Sequence, residues 1–560
     1  MSNGASLELQ AVPEWWMGAV IYQIYPLSYK DSNGDGTGDL PGILEKLDYI
    51  ASLGVDAIWI CPFFKSPMRD FGYDVSDYCA VDLRFGSMAD VDRLIGRAHD
   101  LGLKVILDLV PCHTSDEHPW FVESRRNRTN TKSDWYVWAD ARPDGCPPNN
   151  WLSIFGGSAW AWEPRRSQYY LHEFLVSQPA LNLRNPQVLN AIIGIMRFWY
   201  ERGADGFRLD AITALAPDRD LRSNPPIASD EPLPYVDGGM GNPFLRQVHL
   251  FDRDGPDVLP MLSAFRRLGD EYHPPRFLFG EIGDVDGCAV GAKYTQPNLI
   301  HAAFIQDLIL TDLSAERATT VCRRLTELIG EGWVVNAFSS QDIARHLTRW
   351  RHLAGAEGDS RKLAKLLLGL LLCMRGCTCL YQGEELGLTD VDLPLDAIRD
   401  PWGLAMYPDY KGRDSCRTPM PWSSTQPNAG FTSGVPWLPL GPTHKELAVD
   451  VQEGDPDSVL NAYRRFIKWR KKHAALRWGT SHILEAPEPL FAFEREWQGQ
   501  HILAVFNLSP DRAKWRPSGE WIELEGHGLL AAAFASGELH FEGLDVFLGT
   551  RRSGDTGAAG

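Results

Sequence analysis

The sequence lacks the features that mark secreted, membrane-spanning and nucleic-acid-binding proteins. Residues 1–16 contain no basic start followed by an apolar run, so no signal peptide is predicted. The longest apolar run, 366–374, is far shorter than the roughly 20 residues that cross a bilayer. The formal net charge of -18 leaves no basic surface for phosphates, which argues against a nucleic-acid partner. We therefore expect a cytoplasmic protein with no membrane or nucleic-acid partner.

Cysteine spacing gives no sign of disulfides or of a zinc site. The chain has 10 cysteines, and none is spaced with histidines in a zinc-binding pattern. Without a secretion signal, disulfides are not expected. We interpret the cysteines as reduced thiols, most of them in the core.

Length and composition predict a soluble protein of several domains. A chain of 560 residues exceeds the roughly 250–300 residues at which one core stops growing, so two or three domains are expected. The 20 tryptophans and 17 tyrosines are unusually many, and their flat rings suit sugar binding as well as a core. Composition leaves a monomer and a homodimer equally open.

Strand-like and helix-like segments alternate through most of the chain. Amphipathic stretches such as 43–53 and 90–101 have helical spacing and separate the strands. Such alternation implies parallel pairing with right-handed crossovers, and eight units fit an α/β fold, the (β/α)8 TIM barrel. The predicted strands are 19–25, 57–60, 105–110, one ending at Asp210, one ending at Glu281, 302–305, 333–338 and 378–383.

Two regions depart from this alternation. Residues 112–178 are rich in Trp, Pro, Asn and Gly without helical periodicity, which is typical of a functional loop or a small subdomain. From about residue 475, short β-like segments with polar turns predict an antiparallel β-sandwich. We predict a barrel formed by 1–111 and 179–474, an inserted subdomain at 112–178, a sandwich at 475–550 and a disordered tail at 551–560.

Three carboxylates, Asp210, Glu281 and Asp342, end or follow predicted strands. A charge at a buried strand end is costly, so such residues are usually paired or catalytic. In a parallel barrel the C-terminal strand ends converge on one opening, where active sites are built. Three acids at one opening indicate glycosidic-bond chemistry, which needs a nucleophile and a proton donor on opposite sides of an acetal.

Five short segments resemble the signatures of glycoside hydrolase family 13, the α-amylase family, and within it the α-glucosidases and oligo-1,6-glucosidases. The resemblance runs from about residue 15 to the end of the predicted sandwich. It implies a retaining mechanism through a covalent glucosyl-enzyme. The segments are 108–115 (Asp-Leu-Val-Pro-Cys-His-Thr-Ser), 178–182 (Gln-Pro-Ala-Leu-Asn), 206–210 (Gly-Phe-Arg-Leu-Asp), 280–284 (Gly-Glu-Ile-Gly-Asp) and 338–342 (Phe-Ser-Ser-Gln-Asp).

The resemblance implies a role for each carboxylate. Asp210 would attack the anomeric carbon, and Glu281 would protonate the leaving oxygen and later deprotonate water. Retention requires the two carboxyls to lie about 5–5.5 Å apart, and burial beside Asp210 is expected to raise the pKa of Glu281. Arg208, on the same strand face as Asp210, would keep it ionised and oriented. Asp342 would bind ring hydroxyls most tightly in the transition state.

The resemblance also implies a glucose pocket closed at one end. Asp70 would receive the non-reducing end of the substrate and pair with Arg417, which would make the enzyme exo-acting. Tyr73 would stack on the sugar ring. The other pocket candidates are Asp108 and His113, which would reach the outer hydroxyls, together with Phe155 and Gln178.

Segment 31–39 carries oxygen-bearing side chains at every second position, as a calcium loop does. No glutamate stands at the twelfth position, where Gly42 lies, and the segment resembles instead the metal loop after strand one of α-glucosidases. A metal-free Asx-rich turn is the alternative. The resemblance implies a structural Ca2+, with Mg2+ as the other choice, bound by Asp31, Asn33, Asp35, Asp39 and the carbonyl of Thr37.

Three positions affect the expected chemistry. Gln341 stands where the family usually has histidine, so it can donate a hydrogen bond but carries no charge, and rate, pH profile or donor preference are expected to change. Cys112 replaces an asparagine that ligates calcium in many α-amylases, so that second site is not expected. Ala211 follows the nucleophile, where valine accompanies α-1,6 cleavage and smaller residues accompany α-1,4 cleavage in the resembling subfamilies.

We therefore predict an exo-acting α-glucosidase that releases glucose from short α-glucosides, with α-1,4 linkages such as that of maltose preferred. A transglucosylase or isomerase, or a sucrose hydrolase, would use the same site and remains open. A non-catalytic sugar-binding or transporter-accessory chain is the remote alternative. Such a chain would be expected to lack catalytic carboxylates and to carry a membrane anchor, whereas this sequence has three candidate carboxylates and no predicted membrane span.

Overall fold

The fold is known from a computed structural model, which describes residues 13–228, 242–284, 286–309, 312–355 and 358–552. Within these ranges, all the predicted site residues are described. The predicted disordered tail, 551–560, falls almost entirely outside them, since only its first two residues are described.

Eight parallel strands close into a barrel, in which each strand pairs with its neighbours in chain order and the last pairs with the first. Six of them are buried along their whole length, as expected for strands covered by helices on one side and packed into the barrel on the other. This confirms the predicted TIM barrel. The strands are β1 Val20–Ile24, β2 Ala57–Ile60, β3 Lys104–Leu109, β4 Gly206–Leu209, β5 Phe277–Ile282, β6 Ala302–Ile305, β7 Trp333–Asn336 and β8 Cys377–Tyr381.

The helices follow the amphipathic stretches of the sequence. The segment Met88–Asp100 buries Val91, Leu94, Ile95 and Ala98 on one face, which is the spacing that a surface helix needs. The predicted helix at 43–53 is two helices that meet at Lys46. The helices are Leu40–Glu45, Leu47–Leu53, Met88–Asp100, Pro119–Ser124, Pro186–Glu201, Val258–Asp270, Gly287–Tyr294, Ala315–Ile329, His346–Arg349, Ser360–Cys373, Pro401–Met406, Val449–Glu453, Val459–Arg470 and Ala474–Trp478.

Two antiparallel insertions rise above the C-terminal ends of the barrel strands. The predicted insertion after β3 contains a small sheet of Trp138–Ala139, Gln168–Leu171 and Trp160–Glu163. A second insertion was not predicted: after β2, Phe64–Lys65 pairs with Asp77–Val81. This ribbon is short and only partly buried, so it leaves little periodic signal, yet its connecting loop carries Asp70 and Tyr73.

The C-terminal region forms two antiparallel sheets, as predicted. Their apolar residues, such as Leu503, Val505 and Phe547, pack into a core of their own. One sheet contains Thr480–Ile483, Leu490–Trp497, Gln500–Asn507, Val546–Arg551 and Trp521–Glu523, and the other Ala513–Trp515, Glu538–Phe541 and Ala533–Ala535.

Most cysteines lie in the core, as the sequence predicted, and the longest apolar run forms part of a helix. All ten cysteines are free, and only Cys79 and Cys146 are exposed. The apolar run 366–374 lies largely within the helix Ser360–Cys373, which packs inside the protein. In the described part of the chain, every helix is too short or too polar to span a bilayer.

Two adjacent glutamates, Glu384 and Glu385, lie buried just after β8. Glu384 accepts a hydrogen bond from the Tyr463 hydroxyl at 3.4 Å and lies 3.9 Å from His346 Nδ1. Burial raises the pKa of Glu384 to about 8 and lowers the pKa of His346 to about 3. Near neutral pH both side chains are therefore uncharged, and the acid is protonated in the folded protein.

This raised pKa predicts a pH-dependent stability. The favourable contribution of protonated Glu384 is complete below its unfolded pKa of 4.5 and is lost as pH rises toward about 8. Glu384→Gln should remove this loss, so the difference in free energy of unfolding between variant and wild type should shift in the variant's favour between pH 4.5 and 8, by up to a few kcal/mol. Denaturant unfolding at several pH values measures it, and a pH-independent difference would contradict the assignment.

Candidate active site

Arg208, in β4, is the centre of the barrel opening, and its side chain is only 1% exposed. Its Nη1 pairs with Asp108 at 2.9 Å and with Asp210 at 2.5 Å, and its Nη2 pairs with Glu281 at 2.8 Å. Asp108 lies in β3, Asp210 follows β4 and Glu281 lies in β5, so three neighbouring strands supply the acids. One guanidinium thus offsets the cost of burying three carboxylates.

Asp210 and Glu281 face the same guanidinium from adjacent strands. The backbone after Asp210 turns sharply, because Ala211 has a φ of 44°, and the Ala211 N–H donates to Glu281 Oε2 at 3.2 Å. Gln306, after β6, donates to the other oxygen of Glu281 at 3.3 Å. Two carboxylates on neighbouring nitrogens of one guanidinium are compatible with the spacing of about 5–5.5 Å that a retaining pair requires.

Burial raises the pKa of two of the acids that bind Arg208. Burial raises the pKa of Asp210, Arg208 opposes the rise, and the charges of Glu281, Asp108 and Asp342 add to it. Burial also raises the pKa of Asp108 to about 6, again against the attraction of Arg208. The raised pKa values of two acids beside one guanidinium indicate a buried, interacting carboxylate cluster of the kind found at catalytic sites.

Asp342 lies across the opening and is held by two arginines. Its Oδ1 pairs with Arg413 at 3.1 Å and with Arg417 at 2.9 Å. The side-chain amide of Gln341 donates to its Oδ2. Asp342 is the more accessible partner, with a side-chain exposure of 24% against 1% for Arg417, so it faces the open part of the pocket.

The closed end of the pocket is formed by Arg413, which corrects the predicted Asp70–Arg417 pair. Arg413 Nη2 pairs with Asp70 at 2.8 Å and with Asp400 at 2.9 Å. In the described residues, Arg417 pairs with Asp342 and not with Asp70. Both arginines flank the short 3-10 helix Asp414–Cys416, so their side chains start close together and the surrounding loops decide which one reaches Asp70.

Aromatic rings pack against both arginines. The Arg413 guanidinium lies 5.0 Å from the Phe155 ring centroid, and Phe155 stacks on Trp402 at 5.1 Å. Arg417 lies 5.2 Å from the ring centroid of Tyr25. Guanidinium groups stack well on such rings, which fixes their position without removing their hydrogen-bond donors. Phe155 therefore lies at the closed end, behind Arg413.

Gln178 and His113 complete the wall beside Asp70. The Gln178 amide donates to Asp70 Oδ2 at 2.9 Å and lies 3.2 Å from His113 Nε2. The same His113 nitrogen lies 3.1 Å from the Tyr73 carbonyl oxygen. Burial lowers the pKa of His113 to about 4, so the imidazole is neutral near pH 7. The insertion after β3 thus joins the ribbon after β2 at the pocket.

Tyr73 connects the two sides of the site. Its hydroxyl donates to Asp108 Oδ2 at 3.3 Å and accepts from the Gln341 amide at 2.8 Å. The Trp59 indole N–H also donates to Asp108 Oδ2, at 3.2 Å. Hydrogen bonds therefore run from Arg208 through Asp108, Tyr73 and Gln341 to Asp342.

Sequence reasoning missed Arg413, Asp400, Trp59 and Trp402. Arg413 and Arg417 belong to the same segment, four positions apart, and spacing alone gave no reason to prefer the first. Asp400 caps the short helix Pro401–Met406 and Trp402 lies in its first turn, and a helix of this length is too short for its periodicity to mark a side chain as inward-facing. Trp59 was visible only as an apolar residue of a buried strand.

The segment 31–39 is a compact loop whose acids bind its own backbone. Asp31 accepts from the N–H groups of Gly34 at 2.7 Å and Gly36 at 2.8 Å, and Asp39 accepts from that of Gly42 at 2.6 Å. In the ranges that the structure describes, no three or more His, Cys, Asp or Glu side chains are grouped to hold a metal. The all-oxygen set of carboxylates, a carboxamide and a carbonyl still suits Ca2+ by chemistry, so calcium stays a prediction.

The closed end predicts a large effect of removing Arg413. Arg413→Ala would leave Asp70, Asp400 and Asp342 without a shared cation in a buried site. Breaking a buried pair typically costs about 3–5 kcal/mol of folding stability. Because the acids at the closed end would also be displaced, kcat/KM on a short α-glucoside should fall by at least about 100-fold. The exposed Arg399 provides a matched control, since Arg399→Ala should leave kcat/KM near the wild-type value. Wild-type activity of Arg413→Ala would contradict the arrangement.

The chain is similar to known proteins over most of its length. Residues 23–479 match the family model of the alpha amylase catalytic domain. A probable alpha-glucosidase of Rhizobium meliloti (strain 1021) is 49% identical, with 95% of this chain and 96% of the relative covered. An oligo-1,6-glucosidase of Parageobacillus thermoglucosidasius is 35% identical, with 88% and 90% covered.

Two solved structures of related proteins have the same fold as this chain. The alpha-glucosyl transfer enzyme XgtA is 50% identical, with 97% of this chain and 100% of that chain covered and a TM-score of 0.94. The trehalulose synthase MutB from Pseudomonas mesoacidophila MX-45 is 30% identical, with 97% and 100% covered and a TM-score of 0.86. Both hydrolytic and glucosyl-transferring relatives therefore share this fold.

Proposed function

The chain belongs to the α-amylase family of glycoside hydrolases, and we propose that it is a retaining, exo-acting α-glucosidase that acts on short α-glucosides. The observation that carries this proposal is the placement of Asp210 and Glu281 on one guanidinium, opposite Asp342 in a pocket closed by Arg413. Acids so arranged can flank one acetal carbon, which a sugar-binding chain without catalysis would not require.

The proposed reaction has two displacements. In the first, the Asp210 carboxylate forms a bond to the anomeric carbon while the bond to the leaving oxygen breaks and Glu281 transfers its proton to that oxygen. In the second, Glu281 takes a proton from water, the water oxygen bonds to the anomeric carbon, and Asp210 is released as a carboxylate. Asp342 binds ring hydroxyls and stabilises the positive charge that develops on the sugar between these states.

Exo action follows from the closed end. Asp70, Gln178 and Arg413 form one continuous hydrogen-bonded wall, in which Asp70 and Gln178 join at 2.9 Å. A wall of this kind leaves room for a single sugar beyond the bond to be broken. We therefore propose that the outer hydroxyls of a non-reducing glucose bind Asp70, His113 and Asp108, with the Tyr73 ring beside the sugar.

Linkage preference is proposed to depend on Ala211. This residue lies directly after the nucleophile, and its N–H contacts Glu281 at 3.2 Å, so its side chain borders the space where the leaving sugar binds. A methyl group there leaves more room than a valine, and the resembling subfamilies associate the smaller residue with α-1,4 cleavage. We propose that maltose-type linkages are preferred over isomaltose-type ones.

Glucosyl transfer is the second candidate, and the 50% identity to an alpha-glucosyl transfer enzyme favours it. Both reactions share the first displacement and differ only in whether water or another hydroxyl attacks the glucosyl-enzyme. The identity to a probable alpha-glucosidase is nearly the same, at 49%. One enzyme with both activities is compatible with this arrangement of acids.

One set of incubations tests the proposal. Purified protein is given maltose, isomaltose, sucrose or p-nitrophenyl α-glucoside, and glucose is separated from transfer products by chromatography. We expect turnover with maltose to exceed that with isomaltose, and the isosteric Asp210→Asn to lose at least about 10⁴-fold in kcat because the nucleophile is gone. Faster isomaltose hydrolysis would contradict the linkage preference, and persistent activity of Asp210→Asn would contradict the mechanism.

A structural cation is also proposed for the loop 31–39, on the chemistry of its oxygen donors. If it binds Ca2+, the ion should raise the thermal midpoint by several degrees over that of chelator-treated protein, since ligands that bind only the folded state stabilise it. Asp35→Asn keeps the shape of an exposed loop side chain and should reduce the shift. Equal midpoints with calcium, magnesium and chelator would leave the loop as a metal-free turn.

A further inference from the structure

Gln23, in β1, contacts the site from inside the barrel and has no role in the proposed reaction so far. Its side chain is fully buried, and its amide nitrogen donates to the Gln341 side-chain oxygen. The same nitrogen lies 3.4 Å from the Cys61 sulfur. Gln23 therefore reaches Gln341 from the far side, opposite Asp342.

The hydrogen bonds of Gln341 have a fixed direction. Its amide nitrogen donates to the Tyr73 hydroxyl at 2.8 Å and to Asp342, while its oxygen accepts from Gln23. Tyr73 in turn donates to Asp108, so its oxygen is available as an acceptor for Gln341. Every partner is thus matched in one orientation of the carboxamide.

The opposite orientation would create two repulsive contacts. A rotated Gln341 would point its oxygen at the Asp342 carboxylate and its N–H groups at the amide nitrogen of Gln23. The two orientations of a carboxamide have nearly the same shape, so packing alone selects neither of them. The acceptor Asp342 and the donor Gln23 therefore favour the same orientation from opposite ends of the amide, the one that presents N–H groups to Asp342.

The backbone of Gln341 is held independently of its side chain. Its carbonyl oxygen accepts from Arg417 Nε at 2.6 Å and from the Cys416 thiol at 3.6 Å. The position of the residue is therefore fixed by these contacts, and Gln23 acts only on the rotation of the amide group. This separation makes the effect of Gln23 testable without displacing the loop.

Among the described residues, the side-chain oxygen of Gln23 has no hydrogen-bond partner, whereas its amide nitrogen donates to Gln341. The carboxylates of Asp108 and Asp342 and the cation of Arg208 act on the neighbouring Cys61 thiol, and Tyr381 lies beside Gln23 in the sheet. Burial raises the pKa of Cys61, so the thiol stays neutral. Gln23 itself cannot titrate.

We propose that Gln23 is a positioning residue of the glucosyl site, which orients the Gln341 carboxamide so that its N–H groups face Asp342 and the bound sugar. The inference rests on the proposed α-glucosidase function. It also explains how an uncharged residue can work where the resembling enzymes have histidine: the hydrogen-bond donor is set by a second amide and not by protonation.

Gln23→Glu and Gln23→Met test the proposal. A protonated carboxyl at position 23 can still donate to Gln341, whereas an ionised one would accept from it and reverse the amide. Gln23→Glu should therefore keep near-wild-type kcat at acidic pH and lose about 10-fold as the introduced carboxyl ionises, the size expected for one misdirected hydrogen bond at the reacting centre. Gln23→Met should lose about 10-fold in kcat at every pH, with KM changed by less than about 2-fold.

Two further variants separate positioning from general damage. Cys61→Ala removes the other contact of Gln23 and should leave kcat and the pH profile unchanged. If Gln23 acts through Gln341, the double variant Gln23→Met with Gln341→Met should be no slower than Gln341→Met alone. Thermal midpoints of all variants show whether a loss of kcat reflects lower stability. In the pH series, the kcat of each variant is compared with its own value at acidic pH.

The outcomes distinguish this inference from the proposed function. Wild-type protein without turnover on any α-glucoside would overturn the proposed function. An active wild type, with Gln23→Glu and Gln23→Met at wild-type kcat across the pH range, would overturn only the positioning role. An additional loss of about 10-fold in the double variant would also overturn it, because Gln23 would then act independently of Gln341.

Discussion

The active site depends on one buried cation that three carboxylates share. Arg208 lies at the floor of the barrel opening, and Asp108, Asp210 and Glu281 approach it from three neighbouring strands within 2.9 Å. Without this guanidinium, three acids could not be buried together without protonation. With it, they form a buried acidic cluster at one opening, and paired carboxyls at one opening are what double displacement at an acetal needs.

The closed end of the pocket is built in the same way as the cluster around Arg208. A second buried cation, Arg413, joins Asp70, Asp342 and Asp400, so the closed end is also an acid cluster around one arginine. Uncharged hydrogen bonds through Tyr73 and Gln341 link the two clusters. The side chains around the pocket are therefore fixed by hydrogen bonds and ion pairs, and such preorganisation allows charge stabilisation without reorganisation during a reaction.

The barrel could be predicted from the sequence because its strands are buried apolar runs with helices between them. The least distinct strand, β6, was placed at 302–305 and is found at Ala302–Ile305. The strand ends then placed Asp210 and Glu281 at one opening, since parallel strands share a polarity. The ribbon Phe64–Lys65 with Asp77–Val81 escaped prediction because a short, half-exposed pair has no clear period.

Pairing between distant loops could not be predicted. The spacing of Arg413 and Arg417 in the sequence favours neither as the partner of Asp70. The partner is decided by tertiary packing, in which the Arg413 guanidinium lies against the rings of Phe155 and Trp402. Gln23 likewise appeared only as a polar interruption in a buried strand. Its proposed role depends on its hydrogen bond to Gln341, which lies 318 residues away in sequence. Such contacts are properties of the assembled opening and not of any local pattern.

The most direct test of this account is the anomeric form of the first glucose released. Proton NMR can follow hydrolysis of an α-glucoside before the product mutarotates. Two carboxyls held on neighbouring nitrogens of one guanidinium are compatible with the close spacing of a retaining pair, so α-glucose is predicted as the first product. β-Glucose as the first product would mean that water attacks directly, and that Asp210 is not the nucleophile.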